Sequence, residues 1–175
     1  MKLHLGCANR YFKGWTNLDI RPGIGDISDD ASKLTSIKNN SCDIIYASHL
    51  LEHFGRKEVT LVLSVWFKKL KPGGILQLSV PDFEKVLYMY QKGTGLDILM
   101  GHIMGGQRDE HDFHKFMFDK KILTELLVKT RFRTVREWDW RITDHNQYDD
   151  YSQAYIPHMD KKNGVMMSLN LEAIK

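Results

Sequence analysis

This sequence has little of what marks a secreted or membrane-inserted protein. Its 175 residues include only two cysteines, Cys7 and Cys42. We expect them at opposite ends of adjacent strands, so we predict no disulfide and a reducing compartment, the cytoplasm. No apolar run approaches the length that spans a bilayer, and no cleavable hydrophobic segment precedes Cys7, so we expect no membrane insertion.

An excess of charge of one sign is also missing, because the formal net charge is only +3. Five cations do crowd one region: Lys129, Arg131, Arg133, Arg136 and Arg141. Aromatic residues do not interleave with them as a nucleic-acid stacking platform requires, so a solvated helix end and strand edge explains them better. No linker or repeat divides the chain, and we therefore predict one domain over residues 1–175, with nucleic acid an unlikely partner.

The most informative stretch lies at the N-terminus. An apolar run at residues 3–5 breaks at Gly-Cys-Ala-Asn in residues 6–9, and a second run at residues 15–18 ends in Asp19. In a parallel α/β sheet, small residues after the first strand let the backbone approach a cofactor, and the acid that ends the second strand accepts both ribose hydroxyls. The turn lacks the full G-x-G-x-x-G pattern, so an ordinary strand exit stays an alternative. A nucleoside-containing cofactor is our first hypothesis.

Two later blocks extend this pattern: DIIYASHLLEHF at residues 43–54 and LKPGGILQLSVP at residues 70–81. With SLNLEAIK at residues 168–175, the chain resembles the class I S-adenosylmethionine (SAM)-dependent methyltransferases, in particular the small predicted methyltransferases of that class. The resemblance covers nearly the whole chain. It implies an α/β fold with a three-layer, Rossmann-like sheet, mostly parallel with an antiparallel C-terminal strand. It also disfavours a dinucleotide oxidoreductase.

Apolar spacing predicts the later elements. Residues 56–70 read as an amphipathic helix. Asp82 and Asp119 are placed to cap two further helices. Alternation over residues 132–138 and 165–174 predicts the antiparallel strand pair that ends a class I methyltransferase sheet.

We expect three parts of the chain to depart from regular helices and strands. Only residues 6–15 separate the first two strands, so we expect the usual helix there to be reduced to a turn or two. Residues 93–115 and 141–164 have no clear period, and such long irregular segments are usually lids or binding loops. We predict that both lie over the cofactor cleft.

The resemblance also implies which residues hold the cofactor. The first turn would take the methionyl part of SAM, Asp19 the ribose, and Asp30 with Ala31 the adenine, although Asp29 competes for that last role. The exit of the fourth strand would border the sulfonium. The predicted cofactor-binding residues are therefore Gly6, Cys7, Ala8, Asn9, Arg10, Asp19, Ile20, Asp30, Ala31, Ser48, His49 and Leu50. Ala8 stands where the family often has a second glycine, which narrows the backbone conformations open to the turn.

Residues 49–53 also fit H-x-x-E-H, the inverted zinc-protease motif. That interpretation needs a helix throughout, whereas the preceding run makes His49 a strand exit. Small-RNA 3′-terminal methyltransferases carry a similar Glu-His pair and bind a divalent ion with it, but here His49 replaces the first of their two glutamates. Further ligands would have to come from the segment containing Asp109, Glu110, His111 and His114. We predict no metal, with Glu52 and His53 capping a helix.

Candidate catalytic residues are His111, His114 and His53, because a neutral imidazole titrates near working pH and can accept a proton. Oxygen is the favoured nucleophile, since a hydroxyl gains more from a base than an amine does. We predict methyl transfer to a small or medium polar acceptor, with a saccharide or other cell-envelope intermediate suggested by the resemblance. A metal-assisted RNA methyltransferase and a catalytically silent SAM-binding or scaffold protein are the alternatives.

Overall fold

The computed structural model describes residues 1–175. The strands are β1 (Lys2–Leu5), β2 (Thr16–Asp19), β3 (Ile27–Ser28), β4 (Cys42–Ser48), β5 (Leu70–Pro81), β6 (Arg133–Glu137), β7 (Tyr155–Ile156), β8 (Val165–Met166) and β9 (Ser168–Ile174). The α-helices are α1 (Val59–Lys69), α2 (Phe83–Gln91), α3 (Leu96–Met104) and α4 (Lys120–Lys129). Short 3₁₀ turns lie at Leu51–His53, Trp140–Ile142 and Tyr151–Gln153.

Seven strands form one sheet in the order β3-β2-β1-β4-β5-β9-β6. The neighbours from β3 to β5 are parallel, whereas β9 runs antiparallel to both β5 and β6. This arrangement confirms the predicted α/β fold with an antiparallel C-terminal strand. Because β1, β2 and β4 are parallel, their carboxyl ends meet at one edge of the sheet, where ligands bind in folds of this kind.

The two faces of the sheet are covered differently. Side chains alternate along a strand, so Leu3 and Leu5 face one side and His4 the other. The first side packs into a core of 24 buried residues, to which α1 contributes Trp66. The other side is covered by a small aromatic cluster of Phe12, Trp15, Tyr46 and Trp138.

Several predicted elements are confirmed with small shifts. Helix α1 begins three residues later than predicted and ends one residue earlier. The carboxylates of Asp82 and Asp119 cap α2 and α4, accepting hydrogen bonds from the backbone N–H groups of Glu84 at 2.9 Å and Ile122 at 2.6 Å. Both cysteines are buried and unpaired, as predicted. No helix has the length and apolar character needed to cross a membrane.

Two segments differ from expectation. Residues 6–15 contain turns but no helix, so the crossover from β1 to β2 is shorter in structure than the predicted turn or two of helix. Conversely, part of the segment 93–115 is the helix α3. That helix has only one buried residue, Leu99, while apolar residues such as Ile98 and Met100 are exposed. Because its apolar side chains do not gather on one buried face, its sequence carries no helical period.

Candidate active site

A cavity of about 990 Å³ opens at the carboxyl ends of β1, β2 and β4. It reaches the upper end of the size range of small-molecule sites. Residues from both predicted lid segments contribute to its walls: His102 and Arg108 from 93–115, and Asp150 and Tyr151 from 141–164. The cavity is therefore enclosed by the strand ends on one side and by later parts of the chain on the other.

The turn after β1 forms part of this cavity. Gly6 has φ +62°, and a Cβ there would lie 3.0 Å from Cδ1 of Leu50. Ala8 also adopts a left-handed conformation, with φ +44°, which an L side chain enters at an energetic cost. Burial raises the pKa of the Cys7 thiol to about 11, so this side chain stays protonated and unreactive. Thus the turn keeps the required backbone shape without the second glycine.

Asp19 ends β2 and is only 3 % exposed. Its carboxylate accepts hydrogen bonds from the backbone N–H of Ala8 at 2.9 Å, the backbone N–H of Arg21 at 3.0 Å and Nε of Arg21 at 2.9 Å. Burial acts to raise the pKa of Asp19, but the bonds from Arg21 and Ala8 outweigh it and leave the pKa below its usual value. The carboxylate is therefore ionised, and the Arg21 side chain covers it.

The structure distinguishes between the two acids that follow β3. Asp29 accepts hydrogen bonds from the backbone N–H of Ser36 at 2.8 Å and from Oγ1 of Thr35 at 3.1 Å, and it does not line the cavity. Asp30 lines the cavity, and its carboxylate lies 2.9 Å from Nζ of Lys33. Of the two alternatives left open by the sequence, Asp30 is the one that faces the cavity.

Next to the predicted cofactor residues Ser48 and Leu50 lies a cluster of Glu52 with three histidines, His49, His53 and His114, and the histidines line the cavity. The exit of β4 gives His49 a φ of +48°, and the following 3₁₀ turn carries Glu52 and His53. The backbone N–H groups of Lys115 and Phe116 donate to the carbonyl oxygen of Glu52 at 2.8 and 3.2 Å. This pairing brings His114 beside the turn, with its ring centroid 5.0 Å from that of His53.

Glu52 is fully buried, and neither carboxylate oxygen has a hydrogen-bond partner. Its Oε1 lies 3.4 Å from Nδ1 of His49 and 3.9 Å from Nε2 of His114. Burial raises the pKa of Glu52 to about 8 and lowers the pKa of His114 to about 4. It also lowers the pKa of His53, so the imidazoles of this cluster are neutral at pH 7.

The chain is similar in sequence to known methyltransferases. A family profile described as a methyltransferase domain matches residues 10–78. The chain is also 26% identical over 120 residues to O-methyltransferase 3 of Dictyostelium discoideum, a match that covers 66% of this chain and 26% of that protein. The chain thus spans about a quarter of the length of this curated relative.

Solved structures agree with the profile. A SAM-dependent methyltransferase from Archaeoglobus fulgidus superposes with a TM-score of 0.60 at 16% identity, covering 99% of this chain and 85% of that one. One from Methanosarcina mazei gives 0.59 at 21% identity, covering 99% and 91%. Our chain has the class I SAM-dependent methyltransferase fold. The fold implied by the resemblance is confirmed, and the profile describes residues 10–78 as a methyltransferase domain.

Within this methyltransferase fold, all the residues predicted to hold the cofactor line the one cavity. The three predicted catalytic histidines line it too, but in different surroundings. His53 and His114 come together beside Glu52, whereas the side chain of His111 is 47% exposed and lies 3.8 Å from the carboxylate of Glu110. The structure therefore separates His111 from the partly buried pair His53 and His114.

Sequence reasoning gave Glu52 no part in this candidate site except in the disfavoured metal-binding alternative. This residue was expected to cap a helix with His53, but its carboxylate makes no capping bond. The sequence signal was the motif at residues 49–53, whose spacing brings His49, Glu52 and His53 together at the strand exit.

Proposed function

We propose that this protein transfers the methyl group of SAM to a hydroxyl oxygen of a small or medium polar acceptor, such as a saccharide or another cell-envelope intermediate. One observation carries the proposal: a single cavity is lined by all the predicted cofactor residues and by His53 and His114, with the buried carboxyl group of Glu52 beside these two histidines. The name of the Dictyostelium relative, an O-methyltransferase, supports oxygen as the methylated atom.

The chain's own residues fit the cofactor. The absent Cβ of Gly6 leaves the backbone of the turn accessible beside Leu50, which suits the methionyl group. The ionised Asp19 suits two ribose hydroxyls once the side chain of Arg21 has moved away. Asp30 suits the adenine amino group. Bound SAM supplies a methyl group made electrophilic by its sulfonium, so the main task of the protein is to hold donor and acceptor in line.

The acceptor hydroxyl must lose its proton, since a neutral hydroxyl is a weak nucleophile. The partly buried pair His53 and His114, beside Glu52, is the part of the cavity suited to promote that loss. Burial lowers the pKa of each, so both imidazoles are neutral at pH 7 and can accept a proton, although the pKa of His114, about 4, lies below the working pH predicted from the sequence. We assign a smaller role to His111, which lies at the exposed rim.

We further propose that residues 93–115 and 141–164 act as lids within one domain, since both contribute to the cavity walls. Closure would exclude water from the reacting atoms and complete the acceptor pocket. The cytoplasm remains the predicted compartment, on cysteine usage alone.

Calorimetric titration of the purified protein with SAM, S-adenosylhomocysteine and NAD tests the cofactor first. We expect micromolar binding of the first two compounds and none of NAD. Transfer of a labelled methyl group from SAM is then measured on polar acceptors, beginning with glycosides.

A folded protein that binds neither SAM nor S-adenosylhomocysteine would contradict the proposal. Binding without transfer to any acceptor would favour a silent SAM-binding protein. Methylation of RNA, with an affinity that falls steeply as salt rises, would favour the RNA alternative.

A further inference from the structure

The Glu52 carboxylate lies in surroundings that offer it no hydrogen-bond donor. It is fully buried, and both oxygens lack a partner. Burial of an unpaired carboxylate is strongly unfavourable, and buried polar groups are normally satisfied. The atoms that face this carboxylate therefore indicate what the site is built to hold.

Two of those atoms belong to His53 and His114. Nδ1 of His53 lies 3.1 Å from the carbonyl oxygen of Phe113, and Nδ1 of His114 lies 3.1 Å from the carbonyl oxygen of His102. A carbonyl oxygen only accepts, so each Nδ1 must carry the hydrogen. In each neutral ring, Nε2 is therefore unprotonated and presents a lone pair.

His49 presents a further lone pair to the same carboxylate. The hydroxyl of Ser168 donates to the carbonyl oxygen of Tyr151 at 2.6 Å, so it accepts from Nε2 of His49 at 2.8 Å. Nδ1 of the neutral His49 ring is then an acceptor, 3.4 Å from Oε1 of Glu52. Imidazole lone pairs thus face the carboxyl group of Glu52, which burial keeps protonated at pH 7 in the metal-free protein. A divalent cation that displaces this proton would satisfy the carboxylate and the lone pairs together.

We propose that Glu52, His53 and His114 bind one divalent transition-metal ion, with Zn²⁺ the best match to the ligand chemistry. Their ligand atoms lie within 4.8 Å of one another. A tetrahedral zinc site holds such atoms about 3.3 Å apart, and Nε2 of His114 is already 3.9 Å from Oε1 of Glu52. Small side-chain movements close the site.

The surroundings favour zinc over magnesium. Histidines that bind metals usually donate their other ring N–H to a carbonyl or carboxylate, as His53 and His114 do here. Two imidazoles and one carboxylate form a known ligand set of catalytic zinc, whereas Mg²⁺ prefers oxygen ligands. The nearby carboxylate of Asp112 is held by Nε of Arg108 at 2.7 Å and is not needed as a ligand.

Three protein ligands leave a coordination position open, and His53 and His114 line the cavity. With the lone pairs of His53 and His114 occupied by the ion, these imidazoles could not accept the proton themselves. The metal would instead lower the pKa of a hydroxyl bound at the open position. This role rests on the proposed function, but binding of the ion does not. The sequence predicted no metal because His49 replaces a glutamate; the ligand set proposed here does not need that glutamate.

The experiment measures metal binding directly. Metal-free protein is titrated with Zn²⁺ against a chromophoric chelator, and separately with Co²⁺ while visible absorption is recorded. We expect one ion per chain and the Co²⁺ absorption of a four- or five-coordinate site. Glu52→Gln and His114→Ala should each weaken Zn²⁺ binding at least about tenfold. His158→Ala, which removes an exposed histidine outside the cavity lining, should leave binding unchanged.

Circular dichroism and thermal unfolding establish that each variant is folded, and Glu52→Gln keeps the shape of the side chain if His114→Ala does not fold. Failure of the folded native chain to bind Zn²⁺, equal Zn²⁺ binding by Glu52→Gln, or binding of Mg²⁺ alone would each overturn the inference. Calorimetry with SAM on the same samples separates the two proposals. SAM binding without Zn²⁺ contradicts only the metal site, and Zn²⁺ binding without SAM contradicts only the proposed function.

Discussion

The two walls of the cavity are built in different ways. The wall predicted to hold the cofactor consists of strand ends and the turn after β1, and main-chain bonds such as Cys7 N–H to Leu18 O, 3.1 Å, fix it to the sheet. The second wall, which we call the acceptor wall and which begins at the predicted cofactor residues His49 and Leu50, combines the turn after β4 with residues of the segment 93–115, joined through the backbone of Glu52. The first wall therefore follows from local sequence, and the second only from the tertiary fold.

Their acids differ in the same sense. Asp19 is ionised and saturated with donors, whereas Glu52 is buried without any. The carboxylate of Asp19 already accepts several hydrogen bonds and can exchange these donors for ribose hydroxyls, which suits reversible binding. The carboxyl group of Glu52 has no hydrogen-bond partner and faces imidazole lone pairs, which suits the binding of a cation. The following predictions test this difference between the walls, from the largest expected effect to the smallest.

Packing beneath the cofactor wall should matter most for stability. Phe12 is fully buried and stacks on His4 and Tyr148, with ring centroids 4.0 and 4.5 Å away. Phe12→Ala should lower the free energy of unfolding by about 3–5 kcal/mol, measured by urea denaturation. Phe113→Ala on the acceptor wall, where the residue is 41% exposed, should lower it far less. Equal losses would mean that the two walls are equally packed.

Acid should destabilise the cofactor wall through His4. Burial lowers the pKa of His4 from 6.5 to about 4, and the charge of nearby His145 lowers it further. The hydrogen bond to Asn17 and the charge of Asp150 act in the opposite direction but are weaker. The unfolded chain binds a proton at His4 below pH 6.5, while the folded protein does so only near pH 4. The free energy of unfolding therefore decreases as the pH is lowered from about 6.5 to about 4, by at most about 3 kcal/mol for this residue.

Unfolding free energies at pH 7 and pH 5, compared between the native chain and His4→Phe, isolate this contribution. The variant keeps an aromatic ring but cannot titrate, so its stability should fall less with acid. A pH slope identical to that of the native chain would contradict the assignment.

Cofactor affinity should depend on Asp19 and be limited by Arg21. Asp19→Ala should weaken SAM binding at least about tenfold through loss of charge-assisted bonds to the ribose. Arg21→Ala should do the opposite and strengthen it a few-fold, because Arg21 covers the carboxylate in the free protein. Calorimetry measures both. Weakened binding in Arg21→Ala would mean that the arginine contacts the cofactor.

The smallest effect is expected at the rim of the acceptor wall. His111 is half exposed and is not part of the partly buried pair His53 and His114, so His111→Ala should reduce kcat only a few-fold and leave SAM affinity unchanged. Turnover with a labelled methyl group and calorimetry give the two values. A loss of kcat of about 100-fold or more would return this histidine to the role of principal proton acceptor.

Most of the fold could be predicted from the sequence because local features, such as helix caps and short apolar runs, mark its helices and strands. Asp82 and Asp119 could be identified as helix caps from residue type and position, and the exit of β4 from the apolar run before His49. Helix α3 escaped prediction because its apolar residues are mostly exposed, so no periodic face marks it.

In the candidate site too, residues set by local sequence could be predicted, whereas contacts between distant parts of the chain could not. The predicted cofactor residues follow strand ends, whose positions are readable from short apolar runs, and all of them line the cavity. The sequence named His114 as one of four residues that could join Glu52 and His53, but it could not select among them. That selection depends on the backbone of residues 115 and 116 pairing with Glu52, a contact between distant parts of the chain.

The helix-free connection between β1 and β2 has a consequence for how the protein is made. Phe12 is covered by His145 and Tyr148, and Tyr46 by Trp138, all from late in the chain. During synthesis on the ribosome, one face of the first strands therefore stays uncovered until most of the polypeptide has emerged. An aromatic surface is thus exposed throughout that interval, and partly folded chains with such surfaces are prone to aggregate.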